Sequence, residues 1–419
     1  MNITIVGGGN IGTQFAVHCA EKGHSVTVFT SNPDRFRNEL EIHASDGSVI
    51  HKGTIKAAVN DPETAFSDAD FIFVTMPAFC MQDNAVRIYP YVRRGTIICL
   101  TPGSGGGEFF FKPCVDKGCI LMGLQRVPSV SRIVEYGHIV CSEGYRDTLY
   151  ISSIVSGNND YKRSSMPNFS NAEVNAVTVD EDNMSYTDTG RNAITNEREI
   201  NDSEAVRRSV TDNHCAAIIE SIFDIPCKTL PVYLNITLTP SNQILHTARL
   251  RSMLSDYNEG RVYDKLPLFY GDWDEASSEL LLKCDGEVQL ICKRITEFDL
   301  TGVRSLKDHY EAADVISLTD KLKSIKSLKN LETPVKQVEG GVIPDFSSRY
   351  FEADFPYGLA VVNEIADLAG AEVPNIKATL EWYEDLTHRV KDVKMTSYHE
   401  FSLAKCGIRS YKDLIDFYR

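Results

Sequence analysis

Near the start of the chain, residues 3–13 read Ile3-Thr4-Ile5-Val6-Gly7-Gly8-Gly9-Asn10-Ile11-Gly12-Thr13, an apolar strand running directly into Gly7-x-Gly9-x-x-Gly12. The first glycine permits a tight strand-to-helix turn. The second lets a pyrophosphate approach the backbone, and the third lets the helix pack closely on the strand. A helical pattern follows at Phe15, Ala16, Cys19 and Ala20, and beyond the Gly23 stop lies a second strand, Ser25–Phe29. This is the context of a dinucleotide-binding β-α-β unit. The free amides at the helix start would bind the phosphates, so Gly7, Gly9, Asn10, Ile11 and Gly12 are the expected contacts.

Working outward, further apolar strands are read at 70–77, 96–103 and 120–125, alternating with helical stretches. Ligands of open α/β sheets bind beyond the carboxyl ends of the strands, which places Met76, Pro77, Thr101, Pro102, Gly103 and Gln125 along the nicotinamide half of the site. From 156 to 212 the pattern gives way to Asn, Ser, Asp, Thr and Glu, poor material for a core. The expected organisation is α/β: a Rossmann doubly wound parallel sheet over 1–155, a polar, mobile insertion over 156–212, and a predominantly α-helical substrate and catalytic domain over 213–419. The first part of that last domain is allowed to pack on the sheet. Leu280–Ile295, Leu306–Leu328 and Tyr357–Leu368 carry helical periodicity.

With 43 Lys and Arg against 58 Asp and Glu among 419 residues, the net charge is -15. That argues against nucleic acid or an anionic membrane as partner. No apolar run approaches a membrane span and no signal-peptide pattern opens the chain, so a cytoplasmic location is expected. The cysteine count is 11, without a C-x-x-C pair, which reads as buried reduced thiols; no metal site is expected.

At the end of the second strand, where an acid would hold the ribose hydroxyls of NAD, the chain has Thr30-Ser31-Asn32, with Arg35 and Arg37 downstream. Hydroxyls and arginines suit a 2′-phosphate, whereas an acid would repel it. NADP(H) is therefore favoured, with NAD(H) as the alternative should Asp34 be that acid displaced by a longer turn.

Two stretches of the second half carry the residue types of a carbonyl-reducing enzyme. His246 lies between a polar run and a helix, and an imidazole titrating near neutrality suits proton donation. Arg349 and Asp354 offer a carboxylate-binding fork and a carboxylate to orient an imidazole. Residue type alone leaves a structural histidine and a structural ion pair open, and spacing does not bring Asp354 to His246.

The blocks Gly123-Leu-Gln-Arg-Val-Pro128, Asn242-x-x-x-His246 and Arg349-Tyr-Phe-x-x-Asp354-x-Pro-Tyr-Gly358 resemble the NAD/NADP octopine/nopaline (opine) dehydrogenase family, and the likeness runs through most of the chain apart from the polar insertion. The resemblance implies NAD(P)H-dependent reductive condensation of an amino acid amine with a 2-oxo acid, through an imine. It implies His246 as proton donor, Asp354 as its partner and Arg349 as a substrate-carboxylate ligand. Arg126 or Gln125 is then a candidate for the second carboxylate, and a homodimer is left open. Two rivals stand beside it: a ketopantoate-reductase-like or 2-hydroxy-acid reductase that needs no amine, and a non-catalytic dinucleotide-sensing or partner-binding protein.

Overall fold

The computed structural model describes residues 1–156, 193–391 and 393–419, with the backbone alone for 193–207. The strands are β1 Asn2–Val6, β2 Ser25–Phe29, β3 Glu39–His43, β4 Val49–Thr54, β5 Ala57–Val59, β6 Phe71–Val74, β7 Ile97–Leu100, β8 Ile120–Leu124, β9 Val130–Glu135, β10 Ile139–Glu143, β11 Leu149–Ile154, β12 Cys227–Thr229, β13 Val335–Val338 and β14 Gly341–Pro344. The main sheet has the order β12-β11-β8-β7-β6-β1-β2-β5. From β5 through β8 neighbouring strands pair in parallel, and β11 pairs antiparallel with β8. Strands buried on both faces need apolar residues at every position, and Phe71-Ile-Phe-Val74 is buried throughout. The chain order reverses between β1 and β6, which opens the crevice where such sheets bind ligands.

One face of the sheet carries the helix Asn10–Glu21, on which a second sheet, β4-β3-β10-β9, packs. The helix Ala193–Phe223 lies against β11 and β12 on the same face and buries Cys215, Ile219, Ile222 and Phe223 with Phe15 and Phe73. This corrects part of the reading of 156–212. Residues 157–192 lie outside the described residues, but 193–212 are helical and Thr211 and Asp212 are buried, so no break falls between 212 and 213. Polar composition hid a helix whose apolar stripe develops only towards its C-terminal end.

From Leu230 onward the regular elements of the described residues are helices apart from the β13–β14 hairpin. The helices that position the site are Asn242–Met253, Glu275–Arg294, Arg349–Glu352, Ala360–Ala369 and Pro374–Arg389. Asp274 caps the second of these by accepting from the Ser277 amide at 2.7 Å. One apolar cluster runs from Val74, Leu100 and Leu121 of the sheet through Tyr233 and Ile236 to Leu281 and Tyr418. The two halves therefore share a core. Within it the fully buried Glu108 accepts from Thr237 Oγ1 at 2.5 Å and from Tyr418 Oη at 2.8 Å, tying the C-terminal helix Tyr411–Tyr418 to both halves. Among the described residues no helix is long and apolar enough to cross a membrane.

Candidate active site

The cofactor end is built by the turn after β1. Gly7 has φ +106, a left-handed conformation that favours glycine, and a Cβ on Gly12 would lie 1.8 Å from the Gly7 carbonyl oxygen. Close packing of helix on strand thus requires glycine there. A Cβ on Gly9 would meet nothing within 4 Å, so open space lies over the helix start, and no side chain caps that terminus. The geometry fits a pyrophosphate on free amides. The Asn10 side chain is used elsewhere: its Oδ1 accepts from the Ile133 amide at 2.8 Å and ties the helix to β9. Asn10, like Ile11, is left to offer its backbone.

At the end of β2, Thr30 Oγ1 is 3.3 Å from Tyr136 Oη, and the Arg35 guanidinium stands 4.4 Å over the Tyr136 ring. Ser31 is exposed beside them, and Arg37 is paired with Glu135 at 2.5 Å. Of the two arginines read downstream, Arg35 has no acid partner among the described residues. Met76 reaches the Gly7 turn and Pro77 follows at the mouth of the crevice. Thr101 differs from expectation: it is fully buried, with its hydroxyl 3.5 Å from Cys99 Sγ, so the fold spends this side chain in the core. Gly103 serves packing as well, since Tyr233 Oη donates to its carbonyl at 3.1 Å.

The helix Asn242–Met253 presents His246, which is only 4% exposed. Its Nδ1 lies 2.8 Å from Asp354 Oδ2 and its Nε2 lies 3.1 Å from Tyr270 Oη, while the ring packs on Phe269 and Tyr350. The carboxylate accepts from Nδ1–H, which fixes the tautomer and leaves Nε2 to exchange a proton. Burial pushes the Tyr270 phenol far up, so it remains protonated and donates to a neutral Nε2. Asp354 is held in place by the single π-helical turn Phe355–Leu359 that follows it. There a Cβ on Gly358 would stand 2.6 Å from Gln243 Cβ, so the turn approaches the histidine's helix as only glycine allows. The buried Arg249, one turn on, bonds Asp274 at 2.8 Å and the Asp272 carbonyl at 2.7 Å, bracing the helix from the other side.

Arg349 opens the short helix Arg349–Glu352, exposed, with its guanidinium 5.8 Å from the Tyr350 ring and within electrostatic reach of Tyr270. It is not recorded in any ion pair among the described residues. Gln125 Nε2 donates to Thr239 Oγ1 at 2.9 Å and Arg126 Nη2 to the Pro240 carbonyl at 3.1 Å, both just before the histidine's helix. Tyr270, Tyr136, Arg146 and Arg304 are residues that the sequence reading misses. Tyr270 sits in Phe269-Tyr-Gly-Asp-Trp273, which reads as core, and no local pattern marks the others. Far from the dyad, His18, Glu21 and His51 bring ligand-type atoms within 4.8 Å of one another, where a metal was not expected.

Residues 229–387 match the model of the family described as NAD/NADP octopine/nopaline dehydrogenase, alpha-helical domain, the stretch that carries His246, Arg349 and Asp354. Over that stretch the chain is similar to the opine dehydrogenases. Residues 3–141 match the family described as Ketopantoate reductase PanE/ApbA, a likeness confined to the sheet half. Across nearly its whole length the chain is 25% identical over 410 residues to tauropine dehydrogenase of Arabella iricolor, covering 92% of this chain and 91% of that one. It is 25% identical over 415 residues to octopine dehydrogenase of Mizuhopecten yessoensis, covering 93% and 91%. It also shares the fold of a solved octopine dehydrogenase with NADH and L-arginine, with TM-score 0.73, 23% identity and coverage of 99% and 97%.

Proposed function

We propose that this protein is an opine dehydrogenase, joining the amine of an amino acid to a 2-oxo acid by reductive condensation, with NADPH preferred to NADH. The observation that carries the reading is the 2.8 Å contact of His246 with Asp354, in the part of the chain that matches the octopine/nopaline dehydrogenase helical domain. The names of its relatives, tauropine and octopine dehydrogenase, and structures of the latter with L-arginine and with pyruvate support this substrate class.

In the forward direction the amine adds to the 2-oxo carbon, water leaves, and the imine carbon takes a hydride while a proton completes the secondary amine. The nicotinamide, when bound, supplies that hydride. The chain's residues do the rest. Protonated His246 gives its Nε2 proton to the departing oxygen, and the Asp354 carboxylate stabilises the imidazolium while it waits. Tyr270 holds Nε2 in the plane of transfer. Arg349 clamps the 2-oxo acid carboxylate through its fork, and Gln125 or Arg126 holds the second carboxylate, which turns an encounter of three molecules into an oriented one.

The 2′-phosphate is assigned to Thr30, Ser31 and Arg35, with Gly7, Gly9, Gly12 and the amides of Asn10 and Ile11 around the pyrophosphate. The test is a screen of NADPH and NADH oxidation over pairs of amino acids and 2-oxo acids, with His246→Ala as control. Oxidation that requires both substrates and is lost in the control supports the reading. Oxidation with a 2-oxo acid alone would favour the ketopantoate-reductase-like rival, and tight NADPH binding without turnover would favour the non-catalytic one.

A further inference from the structure

Gln125 borders a cavity of about 220 Å3 whose lining includes Arg126, Arg146, Arg304, His309 and Thr239. Among the described residues no aspartate or glutamate lines it, in a chain where acids outnumber bases by 58 to 43. The three guanidiniums are held by carbonyls instead: Arg126 by Pro240 at 3.1 Å, Arg146 by Val127 at 2.9 Å and Arg304 by Asp308 at 2.9 Å. Arg126 and Arg146 are half-buried and close enough to oppose each other's charge; burial first and Arg146 second bring the Arg126 pKa down to about 10. Like charges crowded together out of water are unfavourable unless an anion completes them.

Neighbouring residues link the cavity to the dyad. Thr239 and Pro240 lead into the helix of His246, and Tyr310, whose ring packs on His309, lies within electrostatic reach of Arg126 and Arg146 on one side and Tyr270 on the other. Condensation brings two α-carboxylates to the site. Arg349 takes one, and a single arginine of the cavity suffices for the other. The remaining guanidiniums exceed what two monocarboxylic substrates need.

We infer that this cavity receives a further acidic group, so that one of the two substrates is dicarboxylic: an amino acid with an acidic side chain, or a 2-oxo acid with a second carboxylate. The inference rests on the reductive-condensation reading and adds the charge of the substrate. A neutral side chain there would leave Arg126 and Arg146 facing each other uncompensated.

The experiment compares kcat/KM for aspartate against asparagine and glutamate against glutamine, each with pyruvate, and for 2-oxoglutarate against pyruvate, each with alanine. The first arm assigns the acid to the amine substrate and the second to the 2-oxo acid. In one arm the acidic substrate is expected to be favoured by about tenfold or more, and Arg146→Gln to collapse that ratio while Arg146→Lys retains part of it. Ratios near one in both arms, or a ratio that survives Arg146→Gln, would overturn the inference. If no pair turns over, calorimetric binding of the same compounds to the NADPH-loaded enzyme decides. Acid-selective binding lost in Arg146→Gln upholds the cavity and sinks the reaction, whereas binding indifferent to charge overturns the cavity assignment.

Discussion

His246 Nδ1 and Asp354 Oδ2 lie 2.8 Å apart although 108 residues separate them in sequence. One comes from the helix Asn242–Met253 and the other from the entry to a π-helical turn, and the contact depends on how closely these two elements approach. Asp354→Asn keeps the shape but removes the negative charge and lets an amide NH2 face Nδ1, so the Nδ1–H tautomer is no longer fixed. A fall in kcat of about 10²- to 10⁴-fold is expected, with the dissociation constant of NADPH unchanged. A kcat within a few-fold of the parent enzyme would leave the pair a merely structural one.

Gly358 sets that approach. A methyl group there would stand 2.6 Å from Gln243 Cβ, so Gly358→Ala forces the two elements apart. Thermal unfolding should report a loss of about 1 to 3 kcal/mol. The kcat should fall with it, because the dyad distance is set by the same contact.

Arg349 makes no recorded ion pair among the described residues and stands at the exposed rim, which suits a ligand clamp better than a structural cation. Arg349→Lys keeps the charge but loses the planar fork. The KM for the 2-oxo acid should rise about tenfold or more while cofactor affinity, measured by fluorescence titration, stays put. An unchanged KM would remove Arg349 from the site.

On the proposed preference for NADPH, cofactor choice rests on Thr30 and Arg35, which meet around the Tyr136 ring. Thr30→Asp places a carboxylate where a 2′-phosphate would lie, and the ratio of kcat/KM for NADPH to that for NADH should fall. If the ratio is unmoved, the adenosine end binds elsewhere.

Burial pushes the Glu108 carboxyl up to about 7 from an ordinary 4.5, opposed by the hydroxyls of Thr237 and Tyr418. The folded state therefore holds a proton that the unfolded chain releases. Stability from this group is fully present below about 4.5 and is lost as pH rises towards 7. Glu108→Gln should flatten that part of the profile of melting temperature against pH, with the variant gaining on the parent near neutrality. A parallel profile for the two proteins would assign the slope to other groups.

The dinucleotide turn is legible in the sequence because its requirements are local: a left-handed Gly7 and a crowded Gly12 leave a spacing that survives without tertiary knowledge. The strands at Phe71, Ile97 and Ile120 are legible for the same reason, since burial on both faces demands unbroken apolar runs. The meeting of His246 with Asp354 is not local, and neither is the Tyr270 contact that completes the imidazole's surroundings. Thr101 misleads because position at a strand end does not say which way a side chain turns; its hydroxyl goes to Cys99. Arg126, Arg146 and Arg304 are scattered along the chain, and only the fold gathers them around one cavity.

The central claim is that the hydride lands on a carbon newly bonded to the amino acid's nitrogen. The most direct test supplies a 15N-labelled amino acid, a 2-oxo acid and NADPH deuterated at the transferred position, and reads the product by mass spectrometry. The account predicts one secondary amine that retains the 15N, carries one deuterium and contains both carbon skeletons. A deuterated 2-hydroxy acid with the labelled amino acid recovered intact would contradict it.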